Sequence, residues 1–480
     1  MKARFALLLV VSVCHGVLLA DTVAPAGKYS AHEWGTFTSI QGSDGVPIAW
    51  NPFVKSDLPG FVYSRRHPFP DAVLAKHRRG FELMELKNSG AWLQRMETPV
   101  IYFHAEQPMT VRVRVEFPEG ILSEWYPRAG SFGPVFGVDP VLAESGESFL
   151  EWTAVTLSPA GVRPADGTSD RARPPGDSHY YAARNARADD VRIEADSKGP
   201  SESESFLFYR GAGNFGAPLR VAMPSPEVVV LLNTGHQALK GLRIYERRGS
   251  QARQVSVPAL APGESRKVAW PGVGRDSEGA EAARALGEGL QRDLTEAGLN
   301  SDEAAAMIET WRESWLGEDG LRVLYLLPRE WTDVVLPLRM DPPPRELVRV
   351  LVGRAEIFTA AEERISRSSF ARFRTTLDAR DLIPGFGGVN ARFREPLLSR
   401  VGTIEERWAM TTDLFRCSLP NPKDATGHRL PEDLVAARVA LGSLEARPTP
   451  RTEPGVAPRI PSDIVSGTLQ SAEVRSWTSE

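Results

Sequence analysis

From Thr110 to Phe117 polar and apolar residues alternate without a break, so Val111, Val113, Val115 and Phe117 share one face of a half-buried strand that ends at Pro118-Glu119-Gly120. The same period of two runs through Phe149 to Leu157, and Val100 to His104 is a short β-forming run. Tyr29 to Ile40 mixes β-branched and aromatic residues. Gly42-Ser43-Asp44-Gly45 then offers turn positions before Val46 to Trp50, which predicts a β-hairpin over residues 30 to 50. In an extended first arm His32, Trp34, Thr36 and Thr38 face one side, and Glu33, Phe37 and Ser39 the other. His32 and Glu33 then act on one atom only if a bulge at Gly35 re-aims one of them.

Asp71 to Lys87 has the spacing of a short helix interrupted near Gly80. Further strands are predicted at Phe206 to Arg210, Val228 to Leu232, Leu242 to Glu246, Gln254 to Val257 and Arg266 to Trp270, a spacing that suggests a β-sandwich. The period then lengthens. Leu286, Leu290 and Leu294 recur every four residues, and Asn300 with Glu303 forms a capping pair ahead of Met307, Ile308, Trp311 and Trp315, so a helical hairpin follows. Leu321 to Leu327, Thr332 to Leu338 and Val348 to Ile357 return to strand, and Thr359 to Glu362 is a capping box opening another helix.

The expected fold class is all-β to α+β, with antiparallel sandwich-like regions, an inserted helical hairpin and a helical C-terminal part. The segments run as an N-terminal antiparallel β domain at 27–157, a loop-rich insertion or linker at 158–200 and a sandwich-like region at 201–272. They continue as the helical hairpin at 273–318, strands and a helix at 319–382, a mainly helical region at 383–445 and a disordered tail at 446–480, rich in Pro, Thr, Ser and Arg. A hydrophobic content of 42% with 25% charged residues is that of a globular protein rather than a disordered one.

Lys2 and Arg4, the apolar run from Phe5 to Val13 and the small residues near Ala20 to Ala26 read as a signal peptide over residues 1–26, so the expected location is periplasmic or extracellular. Val11 to Cys14 is a poor lipoprotein box because Val13 stands where a small residue is wanted. No later segment is apolar enough to span a bilayer. Removing residues 1–26 takes Lys2, Arg4 and Asp21 away, so the net charge goes from −4 to −5 with no basic patch left, which disfavours nucleic acid as a partner. Of the two cysteines Cys14 leaves with the signal, so Cys417 can form neither an intrachain disulfide nor a multi-cysteine metal site.

The stretch His32-Glu33-Trp34-Gly35-Thr36-Phe37-Thr38-Ser39 is the densest run of chemically capable side chains. With Ser56 to Tyr63, Met96 to Phe103, Glu124 to Pro127, His179 to Arg184, Phe206 to Gly211 and Thr310 to Trp315, it resembles a group of secreted bacterial proteins that carry an H-E-W-G-T-F signature. The resemblance covers residues 28 to 360. It implies export and brings no reaction with it.

Common enzyme signatures are missing. Gly211-Ala212-Gly213-Asn214-Phe215-Gly216 fits G-x-G-x-x-G, but Pro218, Pro224 and Pro226 forbid the helix that must receive a pyrophosphate, so a glycine-rich turn is expected. His104-Ala105-Glu106 lacks the cysteine pair of a zinc deaminase and reads as the end of a strand. His32-Glu33 has no second histidine at helical spacing. What remains is a dispersed site, with His32, Glu33, Glu124 and His179 as candidate catalytic residues and Trp34, Trp125, Tyr180 and Arg210 as candidate ligand-binding ones. The metal and cofactor are left unknown. Three functions are open: an exported envelope or secreted protein binding a glycan or peptide ligand, a hydrolase with a dispersed, metal-assisted site around His32 and Glu33, and a structural component of an envelope assembly.

Overall fold

A computed structural model describes residues 28–50, 52, 58–65, 92–134, 148–160, 178–197, 199–270, 279–376 and single positions between 393 and 400. The signal peptide, the helix expected at 71–87, most of the loop at 158–178, all but a few helical positions of the region at 383–445, Cys417 and the tail at 446–480 lie outside the described residues.

The first half supplies β1 (Tyr29–Gln41), β2 (Tyr63–Ser64), β3 (Gln94–Ala105), β4 (Met109–Phe117), β5 (Gly120–Tyr126), β6 (Ser131–Gly133) and β7 (Ser148–Ser158). A 3-10 helix at His179–Asn185 leads to β8 (Asp190–Ile193), β9 (Glu202–Glu204), β10 (Leu207–Gly213), β11 (Leu219–Ser225) and β12 (Val228–Asn233). Next come β13 (Leu239–Arg248), β14 (Gln251–Leu260) and β15 (Ser265–Ala269). Helices α1 (Gly279–Glu296) and α2 (Ser301–Arg312) follow, and α2 runs on into a π-helical turn at Glu313–Gly317. The described chain closes with β16 (Gly320–Leu326), α3 (Arg329–Val335), β17 (Leu338–Asp341), β18 (Glu346–Ile357) and α4 (Ala360–Thr376).

The fold is α+β with sandwich-like sheets. Nine strands form one large sheet in the order β14-β13-β16-β18-β1-β3-β10-β5-β2, so it draws on the segments 27–157, 201–272 and 319–382 alike. Its pairings are antiparallel except for β1 with β18, which run parallel. One face packs through Phe37, Ile101, Leu122 and Ile244 against a smaller sheet containing β4 and β7 and a three-stranded sheet of β11, β12 and β15. The other face carries Trp34, Val100, Tyr102, Leu324 and Val352 and is covered by α1, α2 and the 3-10 helix. β1 lies between these layers, and all thirteen of its residues are buried.

The alternation in β4 is as expected, with Val111, Val113, Val115 and Phe117 all buried. The hairpin is only partly formed. Gly42 N–H donates to the Val46 carbonyl and Ile48 N–H to that of Ile40, but Val46 to Trp50 makes isolated bridges and no second arm. β1 takes β3 and β18 as neighbours instead. Thr332 to Val335 is helical rather than extended: Pro328 caps α3, Arg329 and Asp333 pair one turn apart at 2.7 Å, and Thr332 and Val335 are buried. Gly211 and Gly213 continue β10 and do not form a turn. At Gly211 a β-carbon would stand 2.1 Å from the Ile121 carbonyl oxygen, so only glycine admits β5 this closely.

Candidate metal centre

His32 projects from β1 onto the helix-covered face of the large sheet. His104, near the end of β3, reaches the same place from the neighbouring strand, and the two rings meet edge to face with centroids 4.9 Å apart. The third member comes from the helical layer. Glu303 is in the first turn of α2 because Asn300 and Glu303 form the expected capping box, in which the Glu303 carboxylate accepts from Asn300 N–H at 2.8 Å. The same carboxylate reaches down to the sheet, with Oε2 2.8 Å from His32 Nδ1 and Oε1 2.8 Å from His104 Nε2.

One ligand atom from each of the three residues lies within 4.8 Å of the others. Glu303 is sealed, the His32 side chain is 8% exposed, and the His104 side chain is 27% exposed, so the group opens to solvent on the His104 side only. Burial favours the neutral carboxyl of Glu303, yet hydrogen bonds from both histidines, the charge of His32 and the Asn300 N–H together hold its pKa down at about 2. At His104 burial disfavours the charged ring, but the hydrogen bond and charge of Glu303, with Asp189 and Asp302 behind it, raise its pKa. The cluster is therefore an anion-centred site between two imidazoles.

Two histidines and a carboxylate are the donor set of transition-metal sites with an open position. An ion bound about 2.0–2.2 Å from each donor separates the donors by more than 3 Å, so these contacts must open slightly to admit it. The donors fit a zinc-class cation.

The candidate catalytic residues do not converge. Glu33, next to His32, points through the opposite face, where it is fully buried, accepts from the Tyr209 hydroxyl and pairs with Arg349 at 2.5 Å. The irregularity near Gly35 is in the facing strand, where Thr98 and Pro99 bulge out, and it leaves His32 and Glu33 on opposite sides. Glu124 pairs with Arg210 at 3.1 Å between β5 and β10. Burial opposes its charge, but the charge and hydrogen bond of Arg210, aided by Ser123, keep its pKa low. His179 opens the 3-10 helix, within 3.2 Å of the Thr98 hydroxyl and against the Trp311 ring.

The candidate ligand-binding residues are likewise interior. Trp34 packs under α2, Trp125 lies in the core between the sheets, Tyr180 is buried and bonds to Glu204, and Arg210 is held by Glu124. None offers an exposed face. His104 and Glu303 were each visible in the sequence, one as a strand end and the other as a capping residue. Nothing local links them across 199 residues.

No family model matches the chain, and no curated protein does. Among solved structures it is similar to the yeast delta-COP-I mu-homology domain complexed with a Dsl1 WxWxV peptide. The identity is 7% over 70% of this chain and 98% of that one, with a TM-score of 0.24, a likeness too slight to carry any argument. No helix among the described residues is long and apolar enough to cross a membrane.

Proposed function

We propose that this is an exported protein that binds a divalent transition metal, of the zinc class, through His32, His104 and Glu303. The observation that carries the reading is the meeting of three ligand atoms from β1, β3 and α2 within 4.8 Å. Export rests on the apolar, positively led first 26 residues. The partly exposed His104 gives the site a solvent side. His32, His104 and Glu303 would hold the ion, which would supply an activated water, and metal-assisted hydrolysis is the reaction class this supports.

A second reading is favoured by the direct contacts. With both histidines already 2.8 Å from Glu303, the cluster works equally as a clasp that fastens α2 to the sheet without metal. Elemental analysis of the purified protein separates the two. One equivalent of metal in the wild type, lost in Glu303→Gln and His32→Ala while circular dichroism stays native, establishes the centre and justifies assaying activated esters and phosphoesters. A wild type that takes up no metal from a zinc-buffered solution, with variants that are merely less stable, leaves only the clasp.

A further inference from the structure

Further along β1 from His32, past Trp34, three features that each need a physical explanation meet at one interface. The first is backbone strain. Thr98 has φ of +48° and is the one non-glycine residue in the left-handed region among those described, an unfavourable place for a β-branched side chain. The second is the π-helical turn at Glu313–Gly317, a rare element that favours functional sites. The third is a set of buried polar atoms without hydrogen-bond partners among the described residues. Thr36 Oγ1, Thr38 Oγ1 and Arg354 Nη1 lie on the sheet side, and Trp311 Nε1, Ser314 Oγ and Trp315 Nε1 on the helical side. Native interiors leave few such groups, and each costs about 1–3 kcal/mol.

These residues belong to one neighbourhood. Thr36 pairs across the sheet with Glu97 and Thr38 stands beside Arg354. Arg354 bonds to Glu318 at 3.0 Å, just past the π-helical turn. Arg322 links that turn to the sheet, donating to the Ser314 and Trp315 carbonyls at 3.0 Å and pairing with Glu356. His179, bonded to Thr98, lies against Trp311, whose ring stacks on Trp315 at 6.3 Å.

We infer that this interface is a binding site for a small, uncharged polyhydroxyl ligand of the monosaccharide class. Two indole N–H groups and a guanidinium N–H can only donate, so they call for an oxygen-rich partner, and three hydroxyls that both donate and accept suit a ligand whose own groups do the same. Arg322 and Arg354 are already matched by Glu318 and Glu356, which leaves no charge for an anion to neutralise. The flat tryptophan pair supplies the apolar surface that a sugar ring packs against. The orphaned atoms are closed off from solvent, so a ligand reaches them only by parting the helical layer from the sheet.

The test is independent of the metal. Wild type, with and without chelator, and Thr36→Val/Thr38→Val are titrated with glucose, galactose and N-acetylglucosamine, with glucuronate and phosphate as anionic probes, and followed by tryptophan fluorescence and thermal shift. A neutral sugar is expected to bind the wild type alike with and without chelator, with the double valine variant, folded by circular dichroism, at least about tenfold weaker for want of two hydrogen bonds. The inference is overturned if no neutral sugar binds the wild type, if only the anions do, or if the valine variant binds equally well. In the first case a valine variant more stable than wild type would mark the hydroxyls as packing faults.

Discussion

His32 and Glu33 are neighbours on β1, yet the two faces of that strand treat ionisable groups in opposite ways. On the Glu33 face the carboxylate accepts from the Arg349 guanidinium and the Tyr209 hydroxyl, and the Leu336 carbonyl and Asp333 carboxylate accept from the two terminal guanidinium nitrogens at 2.8 and 2.7 Å. Between layers of apolar side chains such an arrangement leaves nothing for a ligand to do. On the His32 face two imidazoles, which are donors or ligands according to protonation, share one carboxylate at the edge of solvent. A buried charge is a site only where its partners can exchange it for something else. That separates a candidate centre from structural pairs such as Glu33 with Arg349 or Glu124 with Arg210.

The sharpest way to break the comparison is to uncompensate the sealed face. In Glu33→Gln the Arg349 charge keeps, among the described residues, only the half-exposed Asp333 as counter-ion, so a loss of about 3 kcal/mol or more is expected in urea unfolding. Metal content per folded molecule should not change. Glu33→Leu combined with Arg349→Met should recover much of that loss, because two well-packed apolar side chains replace a buried pair at little net cost. If Glu33→Gln instead releases metal from a stable protein, the two faces are coupled and the contrast fails.

Next in size is the metal's own contribution, about 2.7 kcal/mol at one hundred times its dissociation constant, and it should depend on pH in a direction opposite to that of the chelated protein. Without metal, Glu303 has its pKa lowered to about 2, so its contribution is present above the ordinary carboxylate range and is lost as the pH falls towards 2. His104 has a raised pKa, so its contribution is present below the unfolded value and is lost as the pH rises through the folded one. The clasp alone is thus firmest in mildly acidic solution. Metal needs neutral imidazoles, and its stabilisation grows as the pH rises. Melting temperatures with zinc and with chelator should diverge from pH 5.5 to 8. Curves that stay parallel would reduce the site to the clasp.

How much of this the sequence discloses follows from how local each signal is. The inward valines of β4, the two faces of β1 and the capping boxes at Asn300 and Thr359 are set by neighbours a few residues apart, and all are found. The helix α3 is missed because Trp331, Thr332, Val334 and Val335 have strand composition, and its pairing of Arg329 with Asp333 is only a weak helical signal. The partnership of His32 with Glu303 spans 271 residues and exists only because β1 runs under the first turn of α2. The capping box disclosed where Glu303 begins its helix. It could not disclose what lies beneath.

The smallest effect tests the hinge between the two faces. Gly35 separates the residues on either side of the Thr98-Pro99 bulge, and a β-carbon there would come within 3.0 Å of Pro99. Backbone and proline ring can give by only a few tenths of an ångström, so Gly35→Ala should cost about 1–3 kcal/mol through overpacking. Because this strain bears on β3 between Glu97 and Val100, it sits several residues from His104. Metal binding measured at a temperature where the variant is folded should match wild type within about twofold, since the three ligands hang from parts of β1, β3 and α2 that the bulge does not touch. A variant of normal stability that binds metal poorly would mean that the glycine aims His32 rather than accommodates Pro99. The signature stretch would then be a single device in place of two faces that share a strand.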